Sequence, residues 1–164
     1  MKKWIVLFTL LILLTGCARQ GEFETVGDAY APVSLTAKEV TLALPSEAAV
    51  QTLSGEGGKL YLCDGYTVSV QTLPGGDLAK SLRQVTGYSI DRLTVLETEK
   101  DGFCVYRCVW TAAGEGGDQV AQTALWDDGN FHYAITAMAD SAHSGKLSAT
   151  WQEIFQSVEL RGKN

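Results

Sequence analysis

The side chains able to do chemistry are few, and their spacing limits what they can do. Three cysteines stand in the body of the chain: Cys63, Cys104 and Cys108. A nucleophilic thiol acts as the thiolate, which needs an electropositive, partly open setting. Arg107 lies beside Cys104 and Cys108 in sequence, but on a strand it projects to the opposite face from both. Those two are therefore read as core residues. Four positions along a strand separate them by about 13 Å, beyond the ~7 Å between Cα atoms that a disulfide spans, so they do not pair with each other. Either Cys63 pairs with one of them or all three are buried thiols acting as small hydrophobes, and the odd count leaves at least one free.

The two histidines point no more strongly to catalysis. His143 stands with Asp140, Ser141 and Ser144, which together hold the atoms of a hydrolase. They are confined to one short polar segment, where nucleophile, base and orienting group do not line up. His132 alternates with Ala134 and Thr136 in a strand-like run and is read as a half-exposed surface residue. The chain has no Gly-x-Ser-x-Gly, Ser-x-x-Lys or His-Glu-x-x-His pattern. Asp127-Asp128-Gly129-Asn130 lacks the alternating oxygen ligands and distal Glu of a calcium loop, and reads as turn chemistry. Gly114-Glu115-Gly116-Gly117-Asp118 joins two strand-like runs, and its acids repel phosphate, so it reads as a hairpin loop. Trp110, Trp126, Trp151, Tyr106 and Tyr133 either line a ligand groove or fill a core. Aromatic residues dominate the buried area of small domains, so they are assigned to the core. These patterns argue against an enzyme, and they yield no catalytic, metal or cofactor residue.

The elements that hold these residues can be read in order. Lys38 to Leu44 alternates as a strand that Pro45 stops, and Ser46 to Val50 suits a helical turn or two. Ser54 to Gly58 is a connection. Lys59 to Cys63 and Tyr66 to Leu73 form a hairpin about Asp64-Gly65, a pair suited to the positive φ angles of a tight turn. Asp77 caps a helix through Thr86, with Leu78, Leu82 and Val85 on one stripe and Gly87 as its stop. Four strands follow as an antiparallel meander: 93–98, 103–111, 119–126 and 131–138. Both alternating sets of Phe103 to Thr111 are apolar, with Phe103, Val105 and Val109 on one side and Cys104, Tyr106, Cys108 and Trp110 on the other. Both faces of the sheet must then be covered. After a polar link, Asp140 to Ser144, a second helix carries Leu147, Trp151, Ile154, Phe155 and Val158 on one stripe. It covers one face, and the Asp77 helix covers the other face or the end of the sheet. The fold class is thus α+β, an antiparallel sheet covered by helices.

The first residues say where such a domain would sit. Lys2-Lys3 precede an uncharged run from Trp4 to Leu14, closed by Leu14-Thr15-Gly16-Cys17. The run is too short to span a membrane, which takes about 20 apolar residues, and has the form of an export signal. The closing tetrapeptide resembles the lipobox of bacterial lipoprotein signals. That resemblance implies cleavage before Cys17 and lipidation of its thiol with a diacylglyceryl group. Residues 1–16 would be the signal peptide, 17–37 the lipidated N-terminus and tether, and 38–164 a single domain. Loss of Lys2 and Lys3 leaves 11 basic residues against 19 acidic, a net charge of −8. So acidic a chain repels nucleic acid and anionic headgroups, and the lipid must do the membrane holding. Two acyl chains suffice for durable anchoring where one does not. The expected place is the extracytoplasmic face of the cell membrane. Ala18 resembles the residue that permits transfer to an outer membrane where the cell has one.

The meander, its last strand Phe131-His132-Tyr133-Ala134-Ile135-Thr136-Ala137-Met138-Ala139, the polar link and the terminal Trp151-Gln152-Glu153-Ile154-Phe155-Gln156-Ser157-Val158-Glu159-Leu160 resemble the PsbP-like group of α/β/α sandwich domains across residues 38–160. The resemblance implies a small accessory or binding protein, and it transfers no functional residue. The leading expectation is a non-catalytic, lipid-anchored domain that binds a protein partner in the cell envelope, without cofactor or nucleic acid. Its rival is an envelope enzyme or a small-ligand or metal carrier, its site assembled from residues distant in sequence.

Overall fold

The computed structural model describes residues 35–53, 58–114 and 117–162. The expected signal peptide, Cys17 and nearly all of the expected tether lie outside the described residues, as do most of the Ser54 to Gly58 connection and Glu115-Gly116. The elements are β1 (Glu39–Thr41), β2 (Ala49–Leu53), β3 (Gly58–Cys63), β4 (Tyr66–Pro74), α1 (Leu78–Thr86), a 3-10 turn (Ile90–Arg92), β5 (Leu96–Lys100), β6 (Phe103–Gly114), β7 (Gly117–Asp127), β8 (Phe131–Asp140), α2 (Ser141–Gln156) and β9 (Glu159–Arg161). Seven strands form one antiparallel sheet in the order β2-β3-β4-β8-β7-β6-β5, and β1 pairs with β9 in a separate two-stranded ribbon.

The expected meander is the β5-β6-β7-β8 half of this sheet. The Asp64-Gly65 hairpin joins β3 to β4, with Gly65 at φ +75. Helix α1 starts where the Asp77 side chain accepts the Lys80 N–H at 2.9 Å and ends at Gly87, whose φ of +79 suits a residue without Cβ. Gly75 serves by close approach instead. Its N–H donates to the Asn130 carbonyl at 2.8 Å, and an added Cβ would meet that residue's backbone at 2.7 Å.

Both faces of the sheet are covered, each by one helix. On one side Trp151, Ile154 and Phe155 of α2, with Val158 just beyond it, bury against Val68, Val105, Trp126, Tyr133 and Ile135. On the other, Leu82 of α1 meets Cys108, Leu125 and Ala134. The α+β sandwich expected from the alternation of β6 is therefore present.

Four local expectations are corrected. Ser46 to Val50 makes a single turn, Pro45 carbonyl to Ala48 N–H at 3.0 Å, after which Ala49 enters β2. Pairing with β3 and the β-branched Val50 override the helical preference of the two alanines. The strand placed at Leu93 begins at Leu96, because Leu93 and Val95 pack toward α1. The polar link at 140–144 is the first turn of α2, with Asp140 as N-cap, accepting the His143 N–H at 3.0 Å. Glu159 and Leu160, the last residues of the expected terminal helix, lie instead in β9 beside β1. Lys100 fastens this end, its ammonium donating to the Gln156 and Val158 carbonyls, which suits the negative C-terminal end of α2.

Candidate functional site

Residues expected to be inert or exposed have exchanged roles. All three cysteines are free. Cys108 is buried, and burial pushes its thiol up to about 11; burial likewise raises the half-buried Cys63, away from thiolate character. Cys104 is exposed, which corrects its assignment to the core. It sits between Glu99 and Asp127 in the register, at the start of β6 and away from the residues that α1 covers.

His132 is corrected in the opposite direction, being only 1% exposed. Its Nδ1 lies 2.7 Å from the Ser81 hydroxyl of α1, and its Nε2 faces Asp127 at 3.5 Å. The fold thus assembles a serine, a histidine and an aspartate that the sequence keeps 51 positions apart at the hydroxyl bond. Ser81 is 3% exposed inside the helix–sheet interface, so no substrate carbonyl reaches its oxygen unless α1 lifts away. The trio fastens α1 to β8. The Asp140 and His143 side chains, 2.7 Å apart, are spent on the start of α2.

Asp127-Asp128-Gly129-Asn130 is the β7–β8 turn. Asp127 accepts the Gly129 N–H at 2.7 Å, and Asp128 accepts those of Asn130 at 3.0 Å and Phe131 at 2.7 Å. The Tyr133 hydroxyl donates to Asp128 at 2.9 Å and accepts from the Lys38 N–H at 2.8 Å, tying the start of the described chain to the turn. Burial and the Asp128 carboxylate push Tyr133 up to about 12 despite the Lys38 bond. Burial alone would raise Asp128, but the two N–H donors, the Tyr133 hydroxyl and the Lys38 charge outweigh it and lower its pKa. A carboxyl depressed in the folded state contributes stability above its unfolded pKa and loses it as pH falls through the folded value. Asp128→Asn should therefore lower the denaturant midpoint at pH 7. The gap to the wild type should shrink below about pH 4. A gap independent of pH between 7 and 3 would contradict this assignment.

The aromatic residues divide. Trp126, Trp151 and Tyr133 are core. Trp110 is half-buried, edge-on to Tyr88 at 6.4 Å, with its indole N–H on the Thr123 hydroxyl at 2.9 Å. It packs against the edge of the α1-side core and also lines a shallow depression with Tyr88 and Arg92.

A groove among the described residues arises from an offset. Helix α2 packs over β7 and β8, leaving the β5–β6 end of that face open. The register sets Leu96, Arg107 and Ala124 side by side, with Val109 and Gln122 in the next row. Ser148, Gln152 and Phe155 of α2 form the facing wall. The resulting groove has a volume of about 550 Å³, within the range of small-molecule sites. Arg107 is the charged residue of its lining. Its Nε is buried and has no hydrogen-bond partner among the described residues. The acids of the neighbouring strand, Glu97 and Glu99, pair in register with Tyr106 and Cys104 and so lie on the other face. The sequence places Arg107 on the face opposite Cys104 and Cys108 without giving it a binding role, although it interrupts the apolar set Phe103, Val105, Val109 at its centre.

The architecture is that of a PsbP-like α+β sandwich, and solved structures share it at low identity. Cyanobacterial PsbP (CyanoP) of Synechocystis is 8% identical with a TM-score of 0.55, over 79% of this chain and 95% of that one. LpqN of Mycobacterium tuberculosis, described as involved in cell envelope biogenesis, is 10% identical with a TM-score of 0.51, over 79% and 87%. A Bacteroides thetaiotaomicron protein is 14% identical with a TM-score of 0.53, over 76% of this chain, which spans only 46% of that protein. No family model and no curated protein sequence matches the chain. At these identities the likeness is one of fold.

Proposed function

We propose that the protein is a lipid-anchored, extracytoplasmic, non-catalytic binding domain of the cell envelope, with the groove beside Arg107 as its binding site. The observation that carries binding over catalysis is the separation of parts. Ser81 and His132 are shut inside the α1 interface, whereas the open groove sets Arg107 among uncharged side chains. The groove draws on residues from Thr94 to Phe155, the sequence-distant assembly expected of a small-ligand carrier. The anchor rests on Leu14-Thr15-Gly16-Cys17 behind Lys2-Lys3. Likeness to LpqN, a protein of cell envelope biogenesis, supports the envelope setting. Among the described residues no helix is long and apolar enough to cross a membrane, so a membrane hold by helices would have to come from outside them.

Cys17→Ser tests the anchor. In a bacterial host that processes lipoproteins, the variant should remain unacylated and uncleaved by the lipoprotein peptidase. Acylation and processing equal to the wild type would remove Cys17 from the account.

A further inference from the structure

We infer that the groove binds a small amphipathic anion: one carboxylate or phosphate joined to an apolar chain. This rests on the reading of the groove as the binding site. Arg107 supplies the anion half. A guanidinium is always charged and presents a planar fork that matches two oxygens of a carboxylate or phosphate. Its Nε is buried without a partner among the described residues and out of reach of a ligand, so an incoming anion pairs with the remainder of the guanidinium that lines the groove. In a chain of net charge −6, the nearest strand turns its two glutamates to the other face and leaves this cation uncompensated within the groove. The apolar half comes from the same strands. Leu96, the register partner of Arg107, is 64% exposed, and Val109, two residues along the same face, is 57% exposed. Phe155 closes the inner end. An inorganic anion would leave these surfaces in water, and a neutral hydrocarbon would leave Arg107 unpaired. Only a ligand carrying both parts satisfies the groove.

The test uses the full chain in nanodiscs of phosphatidylcholine, titrated calorimetrically with hexyl phosphate, hexanoate, hexanol and inorganic phosphate. Hexyl phosphate or hexanoate should bind at least about tenfold more tightly than hexanol or inorganic phosphate, as expected for one charge-assisted bidentate contact. Arg107→Gln should weaken that binding by a similar factor, and Arg107→Lys by less. Val109→Asp, at an exposed position, should weaken it as well by setting a carboxylate against the anion. Unchanged affinity in Arg107→Gln, or hexanol binding as tightly as hexyl phosphate, overturns the inference. A wild-type affinity that falls in nanodiscs containing phosphatidylglycerol makes a membrane headgroup the source of the anion. An unchanged affinity makes it a free amphiphile. A chain acylated at Cys17 that binds none of the probes overturns the ligand class and leaves the anchored domain standing. An unacylated chain that binds them does the reverse.

Discussion

Phe155→Ala is expected to lower the unfolding free energy of the fragment from Ala18 onward by about 3–5 kcal/mol, a large share of a domain's typical ~5–15. Phe155 is 4% exposed and packs with Trp151, Ile154 and Val158 against the sheet, so truncation leaves a cavity where helix meets strand. Gln152, one turn earlier and exposed, gives the contrast. Gln152→Ala should change stability by less than ~0.5 kcal/mol. Denaturant midpoints of both variants decide the matter. A midpoint unmoved by Phe155→Ala would mean that α2 does not hold the sandwich together in solution, and the wall of the groove would go with it.

The second large effect is expected at His132. His132→Ala removes a fully buried ring and leaves the Ser81 hydroxyl without its 2.7 Å partner, a loss of about 2–4 kcal/mol. Ser81→Ala removes the other end of the same bond. Because the two act through one contact, the double variant should be less destabilised than the sum of the single ones. A double-mutant cycle measures this directly. Strict additivity would show that the bond does not fasten α1 to β8, and would reopen the trio to a chemical role.

What could be read from the chain was local. Asp64-Gly65, Asp77 and Gly87 announce a turn, a cap and a stop through their own backbone preferences, and each is found in place. The two-sided apolar character of β6 announced a covered sheet for the same reason. The burial of His132 is not legible in the sequence because strand alternation says which residues share a face but not where α1 lies on it. Leu82, Ser81 and the helix that carries them bury that face. Cys104 was misjudged by the converse, a side chain on an apolar face beyond the helix's reach. The start of α2 was missed because Asp140 to Ser144 reads as a polar link, whereas Asp140 is a cap. The groove was the least legible feature. It needs the register that sets Leu96 beside Arg107 and the sideways placement of α2 over β7 and β8, neither of which a single strand's pattern contains. The available signal was Arg107 itself, a charge between Val105 and Val109 on a face otherwise apolar.

If Cys17 is the residue that holds the domain at a membrane surface, the intact mass of the N-terminal peptide reveals it. The protein is expressed from Met1 in a bacterium with lipoprotein-processing enzymes, extracted from the membrane fraction and digested. The expected peptide begins at Cys17 and carries the mass of a diacylglyceryl group on that residue. A peptide retaining residues 1–16, or one cleaved elsewhere with Cys17 as a free thiol, would contradict it.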